Sequence, residues 1–113
     1  MATKTSTLPE GIGLIEVRGS FVGGEETDDV RRAVAGFVER EYNKLIIDLS
    51  GATYLNSTAI GVLVTAHTTY TRKGWQVKLC GINKSINSIF VITKLSLVFD
   101  VHDTREEAVK SFV

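Results

Sequence analysis

The amino-acid sequence predicts a single α/β domain with a mixed, mostly parallel β-sheet of four to five strands and about four helices. Three patterns carry that expectation. Lys44 to Leu49 is apolar almost without interruption, which suits a central strand buried on both faces and therefore covered by helices. Glu25 to Arg40 instead repeats its apolar residues Val30, Ala33, Val34, Phe37 and Val38 at the helical spacing i, i+3, i+4, i+7, i+8. From Lys44 onward strands and helices alternate, an order that requires parallel pairing through right-handed crossovers.

Met1 to Glu10, small, polar and closed by Pro9, reads as a flexible N-terminal tail, so the domain is expected over residues 11–113. Ile12, Leu14, Ile15 and Val17 begin a strand that Gly19 closes, and Gly23 and Gly24 mark the turn after it. The helix of residues 25–40 opens with Glu25, Glu26, Asp28 and Asp29, which suit the positive end of its dipole. Ser50 to Leu55 reads as a loop. Ser57 or Asn56 then caps a second helix, on which Ile60, Leu63, Val64, His67 and Thr71 share a face, and Gly74 ends it. Val77 and Leu79 make a short strand. Lys84 to Thr93 is a third helix with Ile86, Ile89, Phe90 and Thr93 turned inward, and Val98 to Val101 is a last strand. Thr104 followed by Glu107 has the form of a capping box, so Arg105 to Ser111 is a terminal helix. One core is expected from Val30, Val34, Phe37, Ile47, Leu49, Leu63, Val64, Val77, Leu79, Ile89 and Phe90.

Composition narrows the function. The 113 residues fit one domain, and 43% apolar with 23% charged residues is ordinary for a globular protein. Thirteen basic residues balance 13 acidic ones, so no positive field favours nucleic acid or an anionic membrane. Cys80 has no second cysteine to pair with, and at the end of an apolar run it reads as a small buried hydrophobe. Met1 to Glu10 lacks the apolar stretch of a signal peptide. The longest apolar segment, Ala59 to Ala66, is far short of the ~20 residues of a membrane span, and a cytoplasmic, soluble protein is expected.

Catalytic chemistry finds no support in the residue pattern. His67 and His102 have no Cys or His at ligand spacing, so neither a metal nor another cofactor is expected. Ser57 and His67 do not make a nucleophile and base, because ~15 Å of helical rise separates groups that must meet at ~3 Å. Gly11 and Gly13, like Gly23 and Gly24, match neither the dinucleotide fingerprint nor the phosphate loop with its lysine. Trp75 beside Arg72 and Lys73 reads as an aromatic cover over the start of a strand, with an exposed interface anchor as the alternative. Ser57 stands where the loop after a central strand enters a helix, the place where open α/β sheets keep their sites; a plain N-cap is the simpler account of it.

The stretch Leu45-Ile46-Ile47-Asp48-Leu49-Ser50-Gly51-Ala52-Thr53-Tyr54-Leu55-Asn56-Ser57-Thr58-Ala59-Ile60-Gly61 resembles the signature of the STAS domain, the sulphate transporter and anti-sigma factor antagonist family. That signature is an apolar strand, Asp-Leu-Ser-Gly, an aromatic residue, then Asp-Ser-Ser-Gly-Leu-Gly. Arg72-Lys73-Gly74 before a strand, Leu95, Val98-Phe99 and Glu106-Glu107-Ala108 extend the likeness over nearly everything after Gly11. The sequence departs from the pattern with Asn56 for the aspartate, Ala59 for the glycine, and Lys94 where a glycine often ends the third helix. Asn56 keeps a capping oxygen and loses a charge.

The resemblance implies an anti-sigma factor antagonist. In the family the serine that falls on Ser57 is phosphorylated by an anti-sigma factor that is also a serine kinase; the unphosphorylated antagonist binds that kinase and frees the sigma factor, and a phosphatase resets the switch. Thr58 is the alternative phosphoacceptor. Tyr54, Leu55, Asn56, Ser57, Thr58 and Ile60 are then the expected partner-binding residues, on a monomer or dimer with no enzyme activity of its own. Two alternatives remain within the resemblance. One is a scaffold subunit of a stress-signalling complex; the other is a module that senses a nucleotide or small molecule or accompanies a transporter.

Overall fold

A computed structural model describes residues 3–21 and 24–112. Among these described residues five strands form one sheet in the order β1-β2-β3-β4-β5: β1 is Thr3–Leu8, β2 Ile12–Phe21, β3 Lys44–Leu55, β4 Gln76–Cys80 and β5 Asp100–His102. Four helices accompany it, α1 (Glu25–Glu39), α2 (Ser57–Arg72), α3 (Lys84–Ile92) and α4 (Arg105–Ser111), with short 3-10 turns at Pro9–Gly11 and Leu95–Leu97. Strand β1 runs antiparallel to β2, and every other pair is parallel, so the mixed, mostly parallel sheet expected from the sequence is the one observed.

Alternation along the strands divides the core in two, because successive side chains point to opposite faces. One face presents Ile15, Leu45, Ile47, Leu49, Val77 and Leu79 to Val30, Val34 and Phe37 of α1, Leu63 of α2 and Phe90 of α3. The other presents Ile12, Leu14, Ile46 and Cys80 to Ala108 of α4. The sequence expectation of one core thus captures the three-helix side and omits the smaller layer under α4. Val64 and Ile89, both placed in that core, are only partly buried.

Several element boundaries differ from the sequence reading, each for a physical reason. Thr3–Leu8, read as part of a tail, pairs along its whole length with Ile12–Val17. Alternating Thr and Ser suit a strand, yet Leu8 is its only apolar residue, so hydrophobic periodicity is silent there. Ser50–Leu55, read as a loop, continues β3, because β2 runs past Gly19 to Phe21 and supplies backbone partners across two register shifts. On α2 the buried stripe is Ala59, Val62, Leu63, Ala66 and Tyr70. Ile60, Val64 and His67 lie at its margin and Thr71 is exposed: small alanines let the helix pack closely, and polarity alone does not mark them as the core face. Thr93 is exposed just beyond α3, its hydroxyl donating to the Ile89 carbonyl at 2.7 Å. The last strand is Asp100–His102, not Val98–Val101, since Leu95–Leu97 coil into a 3-10 turn after Lys94 takes the left-handed conformation, φ 64° and ψ 15°.

Candidate functional site

The end of β3 and the start of α2 are positioned by Leu55 and Ala59, both buried, which pin the chain on either side of a turn whose other residues face outward. Asn56 is extended, φ −103° and ψ −178°, and its side-chain oxygen accepts a hydrogen bond from Ala59 N at 2.9 Å, while its carbonyl accepts from Ile60 N at 3.0 Å. Asn56 is therefore the N-cap, and Ser57 is the first residue inside the helix. Of the two caps left open by the sequence, the structure selects Asn56. Ser57 and Thr58 are both exposed, and among the described residues neither hydroxyl makes a hydrogen bond.

Tyr54, 53% exposed, stands beside this edge, and Ile60 is partly buried. Leu55 differs from the expected partner-binding surface: at 2% exposure its side chain belongs to the core, because it faces inward at the last position of a strand whose alternation the sequence reading ended at Leu49. A second helix start adjoins the site. Asn83 caps α3 by accepting from Ile86 N at 2.8 Å and donates its amide to the Ala52 carbonyl at 3.4 Å, tying the β4–α3 turn to β3.

The histidines stand elsewhere. His67 packs edge-on against Phe99, ring centroids 5.5 Å apart, and His102 Nε2 lies 2.9 Å from Asp100 Oδ1, while Asp100 Oδ2 pairs with Lys78. Among the described residues no group of three or more His, Cys, Asp or Glu is arranged to hold a metal ion. Burial pushes the Cys80 thiol up to about 12, with the Asp48 charge adding to it, so it is not a nucleophile at neutral pH.

Sequence reasoning missed a polar cluster on the α4 side of the sheet. Arg105, the first residue of α4, reaches across the paired strands β2 and β3: Nη2 donates to Glu16 Oε1 at 2.9 Å and to Asp48 Oδ2 at 3.0 Å, and Nε donates to the same Asp48 oxygen at 3.2 Å. Ser50 N donates to the other Asp48 oxygen at 2.9 Å. Burial raises the Asp48 carboxyl, but the Ser50 and Arg105 hydrogen bonds outweigh it and hold the group below its ordinary value. A polar cleft of about 200 Å³ lies beside it, lined by Glu16, Arg18, Asp48, Ser50 and Gly51. The aspartate of the Asp-Leu-Ser-Gly run thus has a structural task, anchoring α4. Only its burial inside an apolar strand hints at a distant cation.

The STAS domain family model matches residues 5–108. Similar solved structures include an anti-sigma factor antagonist from Mycobacterium paratuberculosis, at 19% identity and a TM-score of 0.83, covering 96% of this chain and 91% of that one. The anti-sigma factor antagonist SpoIIAA in its unphosphorylated form aligns at 12% identity with a TM-score of 0.79, covering 98% and 97% of the two chains. The phosphorylated form of SpoIIAA, described as a Bacillus cell fate determinant, aligns at 12% identity and a TM-score of 0.78 over 99% and 100%. At such identities these likenesses establish a shared fold.

Proposed function

The chain belongs to the STAS domain family, and on that footing we propose that it is a cytoplasmic anti-sigma factor antagonist switched by phosphorylation of Ser57. Its partner is an anti-sigma factor with serine kinase activity, and a phosphatase reverses the modification. The observation that carries the reading is the placement of Ser57: exposed, at the first turn of α2, with the capping task held by its neighbour Asn56. The hydroxyl is free to react without loss of the helix cap.

The electrostatics of that position support a switch. Phosphorylation forms a bond from Ser57 Oγ to the phosphorus of a nucleoside triphosphate, releases the diphosphate and the hydroxyl proton, and leaves ~ −1.5 to −2 charge at a helix N-terminus. The first-turn N–H groups and the helix dipole favour an anion there, so the fold survives. The complex with the kinase does not, since a hydrated dianion must be desolvated against a surface shaped for a small hydroxyl.

Ser57→Asp should therefore leave the melting temperature near that of wild type while weakening kinase binding at least ~10-fold, about 1.4 kcal/mol. Ser57→Ala should bind and resist phosphorylation. Titration calorimetry with the purified kinase decides it: equal affinities for wild type and Ser57→Asp remove the switch. Phosphosite mass spectrometry separates Ser57 from Thr58 as the acceptor.

A further inference from the structure

Charge is divided unevenly along the chain. No Asp or Glu occurs from residue 49 to residue 99, whereas that stretch carries Arg72, Lys73, Lys78, Lys84 and Lys94. It also holds an apolar protrusion. Ile92 at the end of α3 is 80% exposed and Leu97 in the following 3-10 turn is 83% exposed, with Val91 and Val98 exposed beside them. Exposed Lys94 makes the left-handed turn between the two. Large aliphatic side chains that protrude together mark a contact surface.

A complement to this protrusion exists on the other side of the same molecule. Between the Pro9–Gly11 turn and α4 lies a groove of about 410 Å³, lined by the apolar Leu8, Pro9 and Val109 and by the exposed carboxylates Glu10 and Glu106. The two cations that complete the lining are Lys110 and Arg105, and Arg105 is held by Asp48 and Glu16. With Arg105 so paired, Glu10 and Glu106 outweigh Lys110, and the groove offers apolar walls with an excess of negative charge to a partner that is apolar with positive charge.

We propose that the Ile92–Leu97 protrusion of one copy docks in the α4 groove of a second copy, with Lys94 against Glu10 and Glu106. The two patches differ and lie on opposite faces of the sheet, so the contact is head-to-tail, and each added copy presents a fresh protrusion and a fresh groove. An open chain results in place of the monomer or dimer that the family resemblance implies. A formal net charge of zero means that no long-range repulsion opposes it. The contact is small, so association is weak and depends on concentration and salt. Neither patch includes a residue of the Tyr54–Ile60 edge, so the contact stands independently of the Ser57 reading.

Sedimentation velocity at low salt, from about 10 μM to about 1 mM, tests the proposal. The average mass should climb above that of the 12.4 kDa single chain and fall back when salt is raised to about 0.5 M. Leu97→Glu and Glu106→Lys should each weaken association at least ~10-fold with unchanged circular dichroism. Glu10→Lys is the second groove variant, in case Glu106→Lys loosens the first turn of α4. Mixing Leu97→Glu, whose groove is intact, with Glu106→Lys, whose protrusion is intact, should restore a two-chain complex that grows no further. A wild type at single-chain mass throughout overturns the proposal, as does a mixture that stays monomeric. Co-sedimentation of a monomeric wild type with phosphatidylglycerol vesicles, lost in Leu97→Glu, would overturn it in favour of a membrane surface.

Discussion

Tyr70 is fully buried with its ring edge-on to Trp75, centroids 5.5 Å apart, and its hydroxyl finds no hydrogen-bond partner among the described residues. Burial pushes its pKa up to about 12, so the group stays neutral. A buried hydroxyl without a partner forfeits its hydration, whereas the ring alone keeps the packing. Tyr70→Phe should therefore be neutral or stabilising by up to ~1 kcal/mol in urea unfolding; a loss above ~1.5 kcal/mol would reveal a partner for the hydroxyl. Asp48 makes the opposite case of a polar group fully engaged. Its folded pKa lies below the unfolded value, so its contribution to stability is present above about pH 4 and is lost as pH falls through the folded value. Asp48→Asn should cost most at neutral pH, where it leaves Arg105 short of a carboxylate, and the gap in melting temperature between wild type and variant should narrow from about pH 6 to about pH 3. A gap that stays constant would mean that Asp48 does not titrate differently in the two states.

At the scale of elements, α2 shows how a cap and a reactive group are separated. The cap bond from Asn56 to Ala59 N and the exposed Ser57 beside it make two distinct perturbations available. Asn56→Ala should lower stability by ~1 kcal/mol, within the range of about 0.5–2 for losing such a cap, whereas Asn56→Asp should keep the cap and gain a few tenths from the helix dipole. Urea unfolding of both variants beside Ser57→Ala checks this: Ser57→Ala should be near neutral, and a cost equal to that of Asn56→Ala would return the capping role to Ser57. The caps at Thr104 and at Gly74 were legible because their chemistry is local; Thr104 accepts from Glu107 N and Gly74 has φ 75°. The extension of β3 to Leu55 was not, because Ser50-Gly51-Ala52-Thr53 carries loop chemistry and is held as strand only by its neighbour β2.

For the molecule as a whole, stability should divide along the two layers. Ile47 and Leu63 are fully buried on the three-helix side, and replacing either with Ala should cost ~2–5 kcal/mol in urea unfolding. Val64→Ala should cost less than half as much as Leu63→Ala, because Val64 is only partly buried; equal costs would mean that α2 is rotated from the orientation described. Legible in the residues alone were the α/β class, the parallel pairing from Lys44 onward, a helix over residues 25–40, one residue longer than observed, and the place of Ser57 at the start of α2. Those features follow from apolar periodicity, capping chemistry and a family signature, all of which act between residues close in the chain. Tertiary structure alone decided that Thr3–Leu8 joins the sheet, that Leu55 turns into the core while Tyr54 turns out, and that Arg105 locks α4 onto Asp48 and Glu16. Each of these depends on a partner far away in sequence, through a backbone edge offered by another strand or a charge offered by another element, and side-chain periodicity carries no record of such partners.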